Sequence, residues 1–172
     1  MLPHDAAEYL RIYRDGLFTD TLPFWIPRAI DRECGGYLTS LDRDGTLLHS
    51  DKPVWFQGRF AWLLATLYNT VERRPEWLAL ARHGIEFLNK HGFDSDGRMF
   101  FSVTRAGRPL RKRRYLFSEC FAIMALAAYG LAADDPTAKR QALDLFRLVL
   151  EYQAKPGLLP PKVIPETRPM KG

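Results

Sequence analysis

Two stretches of the chain, residues 60–71 and 122–133, carry no charged side chain and lie 62 positions apart. In the first stretch the large apolar residues recur at helical spacing, as at Phe60, Leu64 and Leu67. This pattern predicts a helix that is buried nearly all round, and the second stretch predicts another. One unit cannot cover such a helix by itself, so units of this kind must stack side by side.

The offset of 62 extends beyond the two uncharged stretches and defines an internal repeat. Pairs of similar residues share it: Gly45 and Gly107, Trp55 and Phe117, Gln57 and Glu119. Each unit consists of an amphipathic helix, a β-hairpin and an uncharged helix. The hairpins are predicted within residues 35–48 and 97–110, around turns at Asp44-Gly45 and Ala106-Gly107.

Three amphipathic helices are predicted to lie outside the uncharged ones. The first covers residues 5–22 and ends near Pro23, the second runs from Pro75 to about Gly92, and the third runs from Pro136 to about residue 154. The second uncharged helix is expected over residues 115–133. Apolar helices inside, amphipathic helices outside and hairpins gathered at one end predict an all-α fold, an α/α toroid with its pocket at the hairpin end.

The number of helices predicts that residues 1–172 form about two and a half units of a longer toroid. The last amphipathic helix has no inner partner, and a segment with five prolines follows it from Pro156 onward. We therefore expect a fragment of a larger barrel. A complete domain with a disordered tail is the alternative.

Charge and cysteine content limit the classes of partner. Six of the 25 basic residues lie within residues 105–114, which is typical of a solvated hairpin and loop; attraction of an anionic sugar or nucleotide, or of nucleic acid, is the alternative. Cys34 and Cys120 lack metal-ligand spacing, so free thiols and no metal are expected. No membrane-length apolar run or signal peptide is present, and a cytoplasmic location is expected.

Arg59 is the last charged residue before the first uncharged helix. A guanidinium stays protonated and is costly to bury unpaired, so Arg59 should hold a carboxylate, a carbonyl or an anionic ligand. Glu119 starts the second uncharged helix and must itself be paired, which predicts either an Arg59–Glu119 ion pair or a direct contact of Glu119 with substrate. Trp55 can pack in the core or form a platform for a sugar. Gln57 can bind a sugar hydroxyl or satisfy a backbone group.

Five motifs in order along the chain resemble those of the N-acylglucosamine 2-epimerase family, which includes cellobiose 2-epimerases and aldose-ketose isomerases of mannose-like sugars. The motifs are Gly35-Gly36-Tyr37 with Asp42 and Asp44-Gly45; Trp55-Phe56-Gln57-Gly58-Arg59; Phe100-Phe101-Ser102-Val103 with Gly107; Phe117-Ser118-Glu119-Cys120-Phe121-Ala122; and Pro165-Glu166-Thr167-Arg168-Pro169. The resemblance implies the N-terminal part of an (α/α)6 barrel about twice as long as this chain.

The resemblance also implies a reaction. The family moves the proton at carbon 2 of an opened sugar through an enediolate, with two histidines as acid and base and an arginine, here Arg59, that stabilises the oxyanion. Tyr115 resembles a substrate-contacting tyrosine, and the residues expected to bind substrate with it are Trp55, Gln57, Glu119 and Arg168. The substrate is a small sugar of the N-acylglucosamine or N-acylmannosamine type. No metal or redox cofactor is required, a nucleotide activator is possible, and the full-length protein is expected to be a homodimer with no nucleic-acid or membrane partner.

The four histidines of this chain match neither of the two that the family uses. They are His4, His49, His83 and His91. The catalytic histidines are therefore expected beyond Gly172, and the chain alone is expected to be inactive. Three alternatives stay open: an aldose-ketose isomerase of mannose-like sugars, a glycoside-processing barrel with carboxylates among Asp42, Asp44 and Glu119, and a non-catalytic binding module.

Overall fold

A computed structural model describes residues 5–112 and 115–159 of the chain. Its helices are α1 (Ala6–Asp15), α2 (Leu22–Ala29), α3 (Val54–Thr70), α4 (Pro75–His91), α5 (Phe117–Ala132) and α6 (Pro136–Ala154), and a π-helical segment, Gly16–Thr21, joins α1 to α2. Its strands are β1 (Ser40–Leu41), β2 (Leu47–His49), β3 (Lys52–Pro53), β4 (Ser102–Val103) and β5 (Pro109–Arg111). The described chain is therefore mostly helical, with short strands between the helices.

The inner helices α3 and α5 pack side by side, and each is covered by an outer helix. α4 packs on α3 and α6 packs on α5. At the closest approach a Cβ on Gly58 would lie 2.8 Å from the carbonyl carbon of Phe121, so only glycine allows this spacing. Further along, the side-chain amide of Asn69 donates to the carbonyl of Ala128 at 2.9 Å. This arrangement of inner and outer helices confirms the predicted α/α toroid class.

The first amphipathic helix does not end near Pro23, as the sequence predicted. The π-helical segment interrupts it, and α2 then continues to Ala29, with Leu22 and Ala29 buried. Pro23 lies in the first turn of α2, the part of a helix that accommodates proline most readily.

Both predicted hairpins are present, and a further strand links the second hairpin to the first inner helix. β1 pairs with β2, and β4 pairs with β5, both antiparallel. β3, directly before α3, pairs with β4 and extends the second hairpin to three strands. Gly45 and Gly107 have φ values of 92° and 84° in the two turns, which favours glycine at both positions.

The outer helices match the predicted boundaries closely. α4 runs from Pro75 to His91, and Asp135 caps α6 by accepting the backbone N–H groups of Thr137 and Ala138. Phe146 of α6 is exposed, although the helix buries Leu145 and Val149 on its inner side. Among the described helices none is long and apolar enough to cross a membrane.

The inner helices are less enclosed than their sequences predicted. Several large apolar side chains of α5 are exposed: Phe117, Met124 and Leu131. Val71, which caps the end of α3, is exposed as well. The prediction that both inner helices are buried nearly all round is therefore only partly correct.

Candidate active site

The first turns of the two inner helices meet in a cluster of aromatic rings. Trp55 of α3 lies with its ring centroid 5.4 Å from that of Phe117 and 5.7 Å from that of Phe121, both on α5. Trp55 and Phe117 are repeat equivalents, so the internal repeat brings its own matching residues into contact. Trp55 is half-buried, which fits wall packing and leaves part of its ring exposed.

Arg59 lies one turn further along α3, at the edge of this aromatic cluster. Its guanidinium carbon is 5.9 Å from the ring centroid of Phe121, its own repeat equivalent. The side chain is exposed, and it makes no ion pair or hydrogen bond with any residue that the structure describes. The predicted Arg59–Glu119 ion pair is wrong, because the Glu119 carboxylate forms an ion pair with Arg98.

A cavity of about 380 Å³ opens between α2 and α3, with Arg59 at its border. Its walls are nearly all apolar and aromatic, and the lining residues are Thr21, Leu22, Trp25, Phe56, Arg59, Phe60, Trp62 and Leu63. A cation that no described carboxylate neutralises, beside aromatic faces, suits a ligand that carries polar groups on an apolar ring. The sequence analysis missed Trp25 and Trp62 here, since both stand in apolar stretches that indicate only core packing.

Gln57 is fully buried, and its side-chain amide binds the backbone of Tyr37 at two points. The Gln57 Oε1 atom accepts the Tyr37 N–H at 2.7 Å, and the Nε2 atom donates to the Tyr37 carbonyl at 2.9 Å. Tyr37 is buried as well, and its hydroxyl donates to the Leu80 carbonyl at 2.7 Å. Of the two alternatives for Gln57, this geometry corresponds to the structural one.

Glu119 is buried against Arg98, a residue that the sequence analysis did not select. The Glu119 Oε1 atom accepts from Arg98 Nε at 2.6 Å and from the Met99 N–H at 3.0 Å. Arg98 also donates to the carbonyl of Tyr115, which has a φ of 58°, and its guanidinium carbon lies 4.3 Å from the ring centroid of Tyr152. The pair therefore holds the backbone of Tyr115 at the entrance to α5, and Glu119 itself is enclosed by protein.

A second buried ion network, also missed from the sequence, lies under the hairpins. Lys52 Nζ donates to the Asp31 carboxylate at 2.8 Å, and Arg105 Nε donates to the same carboxylate at 2.8 Å. Burial by itself would raise the pKa of Asp31, but the hydrogen bonds from Arg105 and Lys52 outweigh it and hold that pKa well below its usual range. The network ties the segment after α2 and the turn of the second hairpin to β3, immediately before α3.

The described histidines, which were not expected to be catalytic, contact groups other than Arg59. His83 contacts the carbonyl oxygen of Gly36 at 3.1 Å, His49 contacts Ser40 at 2.7 Å, and His91 packs on the ring of Phe87. Arg168 and His4 lie outside the described residues. Within residues 5–112 and 115–159, no group of three or more His, Cys, Asp or Glu side chains is placed to hold a metal ion.

Comparison with protein families gives a match over most of the described chain. Residues 36–159 match the family model described as N-acylglucosamine 2-epimerase (GlcNAc 2-epimerase). The matched range contains both hairpins, the inner helices α3 and α5, Arg59 and the buried ion pair of Arg98 with Glu119.

Individual relatives agree with this match. The chain is 34% identical over 152 residues to an N-acylglucosamine 2-epimerase from Bos taurus, covering 84% of this chain and 36% of the relative. It is 30% identical over 132 residues to a cellobiose 2-epimerase from Bacteroides fragilis, covering 76% and 33%. The solved structure of a cellobiose 2-epimerase from Bacillus thermoamylovorans superposes with a TM-score of 0.76 at 25% identity, covering 84% and 37%. The chain thus spans about a third of the length of these relatives.

Proposed function

Since the chain belongs to the N-acylglucosamine 2-epimerase family, we propose that it contributes the oxyanion-stabilising arginine to a carbohydrate 2-epimerase. The substrates proposed are N-acylglucosamine and N-acylmannosamine sugars, the class named for the Bos taurus relative. The observation that carries the proposal is Arg59, an exposed cation at the border of an aromatic cavity that forms no ion pair with any residue the structure describes.

The chemistry of epimerisation explains why such a cation is needed. A proton on the carbon next to a carbonyl can be removed only when the negative charge that moves onto the carbonyl oxygen is stabilised. A guanidinium that is already in place supplies this stabilisation without reorganisation, and a fixed donor of this kind contributes about 3–4 kcal/mol to catalysis. Arg59 is suited to the role because no carboxylate among the described residues neutralises it.

The acid and the base must come from outside the described site. In this proposal two histidines beyond Gly172 remove the carbon 2 proton and return it on the opposite face, so the 172 residues do not turn over sugar by themselves. Neither a metal ion nor a redox cofactor takes part in the proposed proton transfer. Activation by a nucleotide and a homodimeric full-length protein belong to the same proposal.

The test is exchange of the carbon 2 proton in heavy water, followed by proton NMR. The protein is the product of the whole reading frame that contains these residues, and the substrates are N-acetylmannosamine, N-acetylglucosamine, cellobiose and mannose. We expect exchange on the N-acetyl sugars, and a loss of about 100-fold to 1000-fold in Arg59→Ala, as for removal of one oxyanion donor.

Arg140→Ala is the matched control, because Arg140 is an exposed arginine on the outer helix α6 and lines no part of the cavity. Exchange should survive in this variant. Wild-type exchange that Arg59→Ala leaves intact would contradict the role of Arg59. Exchange on mannose with conversion to a ketose, and none on the N-acetyl sugars, would instead support an aldose-ketose isomerase.

A further inference from the structure

A second cavity, of about 440 Å³, lies at the end of the inner helices that is remote from the hairpins. The residues that line it include Tyr68, Pro75, Leu78, Arg82, Tyr129 and Ala133. Tyr68 lies in the last turn of α3, Pro75 begins α4 and Ala133 follows α5, whereas the hairpins precede the opposite ends of α3 and α5. We call this cavity the turn-side cleft, because it opens beside the α3–α4 and α5–α6 turns.

The turn-side cleft is separate from the cavity beside Arg59. Tyr68 follows Arg59 by nine residues on α3, which corresponds to about 14 Å along the helix axis. Among the described residues, none lines both cavities. The walls of the cleft come from α3, α4 and α5, and these three helices pack against one another. The shape of the cleft is therefore set by contacts between helices of the described chain.

Tyr129 is a buried residue whose hydroxyl has no hydrogen-bond partner among residues 5–112 and 115–159. The residue is only 8% exposed, and it lines the cleft. Its hydroxyl is also not one of the fully enclosed polar atoms of the described chain. Buried hydroxyls are usually hydrogen-bonded, because a buried polar group without a partner costs free energy. The Tyr129 hydroxyl therefore faces the cleft, where a ligand can accept its hydrogen bond.

Arg82 supplies a positive charge in the same cleft. It lies on α4 and is close enough to Tyr129 to affect the titration of that residue. Burial raises the pKa of Tyr129, so its hydroxyl stays protonated at neutral pH and can donate. Arg82 Nε lies 3.6 Å from a carboxylate oxygen of Glu86, and both side chains are more than half exposed. Because an exposed pair of this kind contributes little free energy, Arg82 stays available to an anionic ligand.

The rest of the cleft offers mostly apolar surface. Leu78 and Ala133 contribute aliphatic groups, and Tyr68 contributes a half-buried ring. Such a lining suits the ring or chain of a small ligand, while a few polar groups fix its orientation. Asp135, a carboxylate that also affects Tyr129, already caps the start of α6. The polar groups that remain for a ligand are thus mainly donors.

We propose that the turn-side cleft binds a small organic anion, with its carboxylate or phosphate on Arg82 and Tyr129 and its apolar ring or chain between Tyr68 and Leu78. A guanidinium presents several donors in one plane, and this geometry suits both kinds of oxyanion. The Tyr129 hydroxyl donates to the same group. A neutral molecule of similar shape gains nothing from the charge of Arg82, so the cleft should select anions. The proposal does not depend on the epimerase reaction.

The test is fluorine NMR of the product of the whole reading frame that contains these residues, labelled with fluorotyrosine. The signals of Tyr68 and Tyr129 are identified by their loss in Tyr68→Phe and Tyr129→Phe. The probes are benzoate and phenyl phosphate, and neutral benzamide is the control ligand. We expect both anions to shift the two signals in a saturable manner and benzamide to leave them in place. Because the readout is binding, a protein without epimerase activity still tests this site.

Matched arginine variants locate the anion. Arg82→Gln should weaken the binding of either anion at least about tenfold, as expected when a charged hydrogen-bond partner is removed. Arg147→Gln, which changes an arginine of an exposed ion pair on α6, should bind like the wild type, and so should Arg59→Ala. Signals that neither anion shifts, equal binding of benzamide, or binding unchanged in Arg82→Gln would overturn the proposal. Binding lost in Arg59→Ala and kept in Arg82→Gln also overturns it, because the anion then occupies the other cavity.

Discussion

Gln57 binds both backbone polar groups of Tyr37, and 62 residues later Glu119 binds the backbone N–H of Met99 in the equivalent place. In both units the side chain comes from the first turn of an inner helix and reaches the segment that leads into a hairpin. In each unit a side chain from the start of the inner helix therefore hydrogen-bonds the backbone just before the hairpin. Only the glutamine can also donate to the carbonyl, and in the second unit Arg98 pairs with the Oε1 atom of Glu119 instead.

Replacing Gln57 should destabilise the fold strongly. Gln57→Ala leaves the N–H and carbonyl of Tyr37 buried without partners, and each loss costs about 1–3 kcal/mol. We expect the free energy of unfolding in urea to fall by about 3–4 kcal/mol. Gln153→Ala, at an exposed position of α6, should change it by less than about 0.5 kcal/mol. Equal effects of the two substitutions would show that the contact with Tyr37 contributes nothing.

Replacing Arg98 should destabilise the fold, and a second substitution at Glu119 should restore part of the lost stability. Arg98→Met leaves the buried Glu119 carboxylate without its cation and should cost about 3–5 kcal/mol of stability. Adding Glu119→Gln to that variant recreates the residue found at position 57, which is neutral and still accepts from Met99. The double variant should therefore recover at least half of the loss in a urea titration. No recovery would mean that Arg98 acts through packing on Tyr152 instead of through charge.

The sequence predicted the fold class correctly because its strongest signals were periodic. The uncharged helices, the glycine turns and the proline and aspartate caps fix local structure, and the offset of 62 fixes how the units stack. The end of the first helix was missed because Pro23 is a helix stop in most contexts, and its position in a first turn depends on a π-helical segment that no residue pattern marks.

The partners of the buried charges could not be predicted in the same way. Arg59 was the expected cation for Glu119, but the structure buries Arg98 against Glu119 and leaves Arg59 exposed. The network of Lys52, Asp31 and Arg105 joins residues up to 74 positions apart. Such contacts follow from tertiary packing, which no local residue pattern specifies.

Lowering the pH should reduce the contribution of Asp31 to the stability of the fold. Its pKa in the folded chain is held well below the usual value near 3.8 by Arg105 and Lys52 against the opposing effect of burial. A carboxyl with a lowered pKa stabilises the fold fully above its unfolded pKa, and that contribution is lost as the pH falls toward the folded pKa. The wild type should therefore lose stability below about pH 4.

The variant Asp31→Asn isolates this effect. At neutral pH it should be less stable than the wild type by about 3–5 kcal/mol, because Lys52 stays buried without a carboxylate. The difference in unfolding free energy between the wild type and Asp31→Asn should become steadily smaller as the pH is lowered below about 4. Asp144→Asn removes an exposed pair with Arg147 and should have an effect below about 1 kcal/mol at every pH. A difference for Asp31→Asn that is constant with pH would contradict the lowered pKa.

The last prediction concerns the contact between the inner helices. Gly58→Ala improves helix propensity by about 1 kcal/mol in isolation, but the new methyl group would lie 2.8 Å from the backbone of Phe121. α3 and α5 would have to separate, and overpacking of this kind costs about 1–3 kcal/mol. Gly16→Ala is the matched control, because nothing lies within 4 Å of its Cβ position. We expect the urea midpoint to fall for Gly58→Ala and to stay or rise for Gly16→Ala; a rise for both would mean that the helices do not pack as closely as the structure indicates.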